Sequence, residues 1–221
     1  IPNNLHQFLH KSKFIERRKL KESSIPKIQS KELIFNRGFN KIFVPRLESS
    51  RLLMAWPIPP ANEQLTIMGL DIVTSLLAEG RVSKLVSRLR EELQIVEYIE
   101  MDITILEQGG LIILEAFCMN EEIERVQKEV IDLLRKCIST QIKEDEVNRA
   151  SQLIRNGLIF NLETSGQLAN IAGHKGLWNR REKLSKQIEY INHWNTLNLQ
   201  NEIMKLIDPC LCNTLVAIPK E

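Results

Sequence analysis

Residues 76–118, LLAEGRVSKLVSRLREELQIVEYIEMDITILEQGGLIILEAFC, decide the fold. Leu85, Leu89 and Leu93 recur at helical spacing, whereas Tyr98, Met101, Ile103 and Ile105 fall into the alternation of a strand. Gln108-Gly109-Gly110 reads as a tight turn, because glycine reaches positive φ without strain. A second strand, Leu111 to Phe117, follows the turn. The unit is therefore helix, strand, turn, strand.

Outward from that unit, Leu65, Met68, Ile72, Val73, Leu76 and Leu77 form the apolar stripe of an amphipathic helix, with Asn62 placed to cap its start. Gly80 is placed to close that helix. Before it, Arg51 to Pro57 is too continuously apolar to have a wet face and reads as a central strand, ended by Pro57, Pro59 and Pro60. Leu33-Ile34-Phe35 and Ile42-Phe43-Val44 flank a turn-forming Asn36 to Asn40 and suggest two short strands. After the hairpin, helices are expected from Asn120 to Cys137 and from Lys143 through Val147, Ala150, Leu153, Ile154 and Leu158. Further helical stretches lie at 165–173, 181–194 and 199–207, and Thr214 to Ile218 reads as a returning strand. Strands on either side of helical blocks favour an α+β fold over a doubly wound parallel sheet.

Gly80-Arg81, Ser83, Ser87-Arg88-Leu89-Arg90-Glu91-Glu92 and the glycine hairpin, in that order, resemble the domain of the insulinase and mitochondrial processing peptidase family that lacks the metal motif. The preceding Leu53-Met54-Ala55-Trp56-Pro57 and the later Glu144 to Ala150 and Leu168-Ala169 extend the likeness over roughly Leu33 to Pro219. It implies a metallopeptidase-type two-layer domain: a mostly antiparallel sheet with helices packed on one face. The expected division is a linker or preceding-domain tail at 1–30 and the non-metal peptidase domain at 31–221.

The length of 221 residues suits one core, and no apolar run approaches the ~20 residues that span a bilayer. Ile1 in place of methionine suggests a processed or internal end, and the chain reads as soluble, with weak support for the cytoplasm. A net charge of +2 gives no case for nucleic acid. The basic run Lys11, Lys13, Arg17, Arg18, Lys19 and Lys21 reads as a linker rather than a nucleic-acid arm. Cys118, Cys137, Cys210 and Cys212 lack zinc-site spacing and read as buried thiols.

His6 and His10 share the i, i+4 spacing of a metal-binding helix. The motif H-x-x-E-H, however, needs a glutamate before the second histidine, and Leu9 stands there. Glu144, Asp145 and Glu146 read as helix-dipole compensation rather than general bases. We therefore expect no catalytic residue and no metal site in this chain.

What the family resemblance implies instead is a wall of a substrate chamber, in which an arginine and a tyrosine seven residues apart hold the peptide backbone. The arginine maps to Arg90, whose planar guanidinium suits paired hydrogen bonds to carbonyls. Seven residues on stands Glu97, with Tyr98 one step later, and Gln94 lies near the place of the family's turn glycine. Either a bulge restores Tyr98 to the chamber, or the pair is broken and Glu97 faces Arg90; the lack of a local glycine favours the second. The expected function is the non-catalytic, substrate-enclosing half of a zinc-dependent peptidase acting on peptide substrates. Zinc and H-x-x-E-H would come from a metal-bearing domain on the same chain or a partner subunit. The alternative is a binding or assembly subunit that keeps the fold.

Overall fold

A strand whose inward positions are Leu52, Met54, Trp56 and Ile58 forms the middle of the sheet, because all four are buried against helices. In the computed structural model, which describes residues 33–177, 183 and 185–220, this strand is β2, Ser50–Ile58. Around it lie β1 (Gly38–Val44), β3 (Tyr98–Ile105), β4 (Gly110–Cys118) and β5 (Asn213–Pro219), in the order β1-β5-β2-β4-β3. All pairings are antiparallel except that of β1 with β5. His6, His10 and the basic run at 11–21 lie outside the described residues.

The hairpin expected from Gln108-Gly109-Gly110 is present, with Tyr98 opposite Phe117 and Ile105 opposite Gly110. Glycine is needed at 110 because a Cβ there would lie 2.3 Å from the Thr104 carbonyl oxygen. Along β4, Ile112, Leu114, Ala116 and Cys118 are buried beneath the helices. Leu111, Ile113 and Phe117 on the opposite face are half-buried. The alternation follows from the two-residue period of a strand.

The helical layer begins with α1, Gln64–Ala78, followed by α2 (Ile123–Ser139), α3 (Glu144–Phe160), α4 (Ser165–Leu177) and α5 (Ser185–His193). Helix α1 packs against α3, α5 and β3. Its Gly69 is a close-approach residue: a Cβ would sit 2.8 Å from both Trp194 Cε2 and Ile203 Cγ1. Gly80, at φ 80°, ends the helix in the left-handed conformation that glycine tolerates. Asn62 does not cap α1, whose N-cap is Glu63 without a side-chain bond; Glu63 N–H instead donates to the Pro60 carbonyl in a proline-set turn.

Two further expectations are corrected. Leu33 to Phe35 is not a strand: β1 is an edge strand paired with β5, and the chain before it is held by Asn213 Nδ2 donating to the Asn36 carbonyl, 2.8 Å. In α3, Val147 and Ala150 are buried and Ile154 and Leu158 pack against the core, but Leu153 is exposed, since it falls beside that stripe rather than on it. Cys118, Cys137 and Cys212 are buried, whereas Cys210 is exposed.

The segment expected to be a helix before β3 is wound as a π-helix over Val86–Glu92. Leu93 N–H donates to the Arg88 carbonyl and Ile95 N–H to the Leu89 carbonyl, both at 3.0 Å. Gln94 then turns the chain toward β3 at φ 53°. A non-glycine residue there carries a penalty of about 1 kcal/mol. Gln94→Gly should therefore stabilise the domain by about 0.5–1 kcal/mol, read as a rise in thermal midpoint of roughly 2–4 °C; an unchanged or lower midpoint would show that the Gln94 side chain contributes more than its backbone costs.

Candidate functional site

Beside edge strand β3, α1 and the turn after it form a cleft of about 500 Å³. Its walls include Asp71, Ser75 and Glu79 from the α1 side, Arg81 and Arg90 from the segment that follows, and Tyr98, Glu100 and Asp102 from β3. The structure thus brings Arg90 and Tyr98 to one cleft, and Glu97 is not among its lining residues. The sequence left open whether Tyr98 or Glu97 stands beside Arg90, and of the two the cleft lining includes Tyr98. Glu97 N–H donates to the Phe117 carbonyl at 2.8 Å, although Tyr98 is the register partner of Phe117. Glu97 lies just before the strand, and its carboxylate accepts from Ser49 Oγ at 3.4 Å.

Tyr98 is held by a row of side chains crossing three strands. Arg51 on β2 opposes Phe117 on β4, which opposes Tyr98. The Arg51 guanidinium lies 4.6 Å from the centre of the Phe117 ring, and the Tyr98 ring lies 5.7 Å from it at 42°. Such cross-strand contacts fix the ring where sequence spacing alone does not. The Tyr98 hydroxyl donates to Glu100. That bond, then desolvation and the charges of Glu100, Asp102 and Glu115, push the phenol up to about 12, so it keeps its proton as a donor across the physiological range.

Arg90 pairs through Nε with Glu91 Oε1 at 3.2 Å, and Arg81 approaches the same oxygen at 4.0 Å. The pairing is half-exposed and worth little as stability. It leaves the terminal nitrogens of Arg90 without a described partner, and these are the donors that can chelate a carbonyl or carboxylate.

Sequence reasoning missed Asp71 and Ser75, which lie one helical turn apart on the cleft side of α1. Ser75 is 3% exposed and its Oγ has no hydrogen-bond partner. Burial pushes the Asp71 carboxyl up to about 7. The available signal was the stretch IMGLDIVTSLL, in which one carboxylate interrupts an apolar run.

Among the described residues, no group of three or more His, Cys, Asp or Glu is placed to hold a metal ion. The donor set therefore does not fit a catalytic zinc, which takes three protein ligands. Burial also pushes the thiols of Cys118 and Cys137 up to about 11, which disfavours the thiolate needed for nucleophilic attack. No helix among the described residues is long and apolar enough to cross a membrane.

These features define a two-layer α+β domain, and comparison with known proteins places it further. The sequence profile of the peptidase M16 inactive domain matches residues 12–154, and the chain belongs to that family. The fold is similar to that of a protease from Helicobacter pylori, with a TM-score of 0.75 at 19% identity, covering 82% of this chain and 44% of that one. A peptidase M16 inactive domain from Pseudomonas fluorescens gives 0.73 at 14% identity, covering 84% and 44%. The inactive peptidase domain of a proposed zinc protease from Bordetella parapertussis gives 0.68 at 15% identity, covering 81% and 98%. The chain thus spans less than half the length of the first two. No curated protein sequence matches it.

Proposed function

We propose that this chain is the substrate-enclosing half of an insulinase-like zinc peptidase, with zinc and the general base supplied by a metal-bearing domain on the same chain or a partner subunit. The carrying observation is that Arg90 and Tyr98 line one cleft alongside β3, a strand paired with β4 alone in the sheet. The outer edge of such a strand offers backbone donors and acceptors to an extended peptide, and the Arg90 guanidinium lies beside it to hold a peptide carbonyl. The Tyr98 phenol serves as a second donor when it turns from Glu100 to the substrate. The contribution of this half is positioning, which brings a scissile bond to the water-activating machinery of the other half.

Arg90→Ala in the complete protein, with its metal-bearing half present, should lower kcat/KM for peptide cleavage about 10- to 100-fold without changing the thermal midpoint. A second reading, a binding or assembly subunit that keeps the fold, draws on the engagement of Arg90 with Glu91 and of Tyr98 with Glu100. Unchanged kinetics in Arg90→Ala would favour that reading.

A further inference from the structure

We propose that Asp71 and Ser75 form a subsite for the cationic end of a lysine or arginine side chain in a bound peptide. The inference rests on the reading of the cleft as a peptide site but names what one of its pockets selects. Three observations carry it.

The first is an unmet hydrogen-bonding demand. Ser75 Oγ is buried and unpartnered, although buried hydroxyls are almost always satisfied. The Asp71 carboxyl, on the same helix face one turn earlier, makes no side-chain hydrogen bond or ion pair with a described residue, while both groups line the cleft. A half-buried carboxyl and a buried hydroxyl without partners are the complement of a group with several N–H donors.

The second is the charge of the walls. The lining holds four carboxylate residues, Asp71, Glu79, Glu100 and Asp102, against two arginines, Arg81 and Arg90, and both arginines already share Glu91. The lining is net acidic, so an anion is disfavoured and a cation is drawn in. The third is the apolar surface beside the polar pair, which a bare metal ion would leave uncovered. An ammonium or guanidinium at the end of a flexible aliphatic stem also suits the apolar wall of Ile99, Met101 and Ile154 around the polar pair.

The test uses the complete protein and a peptide series that differs at one position, lysine, arginine, norleucine or glutamate, with affinity read by fluorescence anisotropy. The lysine and arginine peptides are expected to bind about tenfold more tightly than the norleucine peptide, the size of one charge-assisted contact. Asp71→Asn should reduce that preference to about onefold while leaving norleucine-peptide affinity in place. Ser75→Ala should reduce it by a smaller factor. A preference that survives Asp71→Asn, or none in the parent protein, overturns the subsite.

A second measurement separates this failure from failure of the peptide reading. n-Butylammonium and n-butylguanidinium are titrated while the Asp71 side-chain carbon is followed by NMR, and its titration midpoint should fall by about one pH unit, the equivalent of tenfold coupling. An unmoved midpoint overturns the subsite whatever the peptides do. A moved midpoint with no peptide binding keeps the subsite and rejects the peptide reading.

Discussion

Asp71→Asn is expected to be more stable than the parent at pH 8 and equally stable near pH 3.5. The parent's carboxyl titrates at about 7 when folded, against 3.8 for the free group, because burial disfavours its charge. Below 3.8 both the folded and the unfolded chain hold the proton, and the group contributes no difference. As pH rises through that interval, the unfolded chain releases a proton that the folded chain keeps, so stability falls, and the loss is complete above the folded value. Integrated over the interval, the loss reaches about 4 kcal/mol, or roughly 10 °C in thermal midpoint for a domain of this size.

The shift has loss of solvent around the carboxyl as its cause. Asparagine keeps the shape and removes the charge, so the variant's profile should be flat between pH 4 and 8 where the parent's slopes downward. Thermal melts at four or five pH values check this, and parallel profiles for the two proteins would show that Asp71 ionises freely.

Trp56→Ala should cost about 3–5 kcal/mol, the range for deleting a large buried aromatic side chain. Trp56 is fully buried in β2, and its Nε1 donates to the Asp208 carbonyl at 2.8 Å. The side chain thus joins the middle of the sheet to the turn that launches β5. Trp56→Phe should cost less in packing yet leave the Asp208 carbonyl unpaired, a loss of about 1–3 kcal/mol. Denaturant unfolding measures both. Amide exchange should also rise in β5 and β1 before it rises in β3 and β4, since the lost bond lies on the β5 side.

Much of the fold was legible because its elements obey a simple period. The hairpin about Gly109-Gly110, the α1 stripe and the central position of β2 each follow from local spacing. Leu33 to Phe35 misled because an apolar triplet beside a turn signal has the composition of a strand, whereas pairing depends on β5, far away in sequence. The π-helix over Val86–Glu92 left no clear mark in the apolar spacing of Leu85, Leu89 and Leu93.

The residues proposed for the site differ in how readily the sequence points to them. Arg90 stood in a recognisable run, but the choice between Glu97 and Tyr98 depended on how β3 begins against Phe117, which a count of residues does not contain. Gln94 made the choice harder, since a left-handed turn without glycine carries no sequence flag. Asp71 and Ser75 escaped because an isolated polar residue in an apolar helix is ordinarily satisfied by a neighbour, and only the packed structure shows that the Ser75 hydroxyl is not and that both residues line the cleft.

The parallel pairing of β1 with β5 has a mechanical consequence. Gly38 lies beside Asn213 and Val44 beside Pro219, so the chain enters at one end of this ladder and leaves at the other. Tension applied through the two ends slides the strands past each other and strains all of their cross-links together, where an antiparallel closure would unzip one link at a time. The arrangement suits a domain that must hold its shape under load.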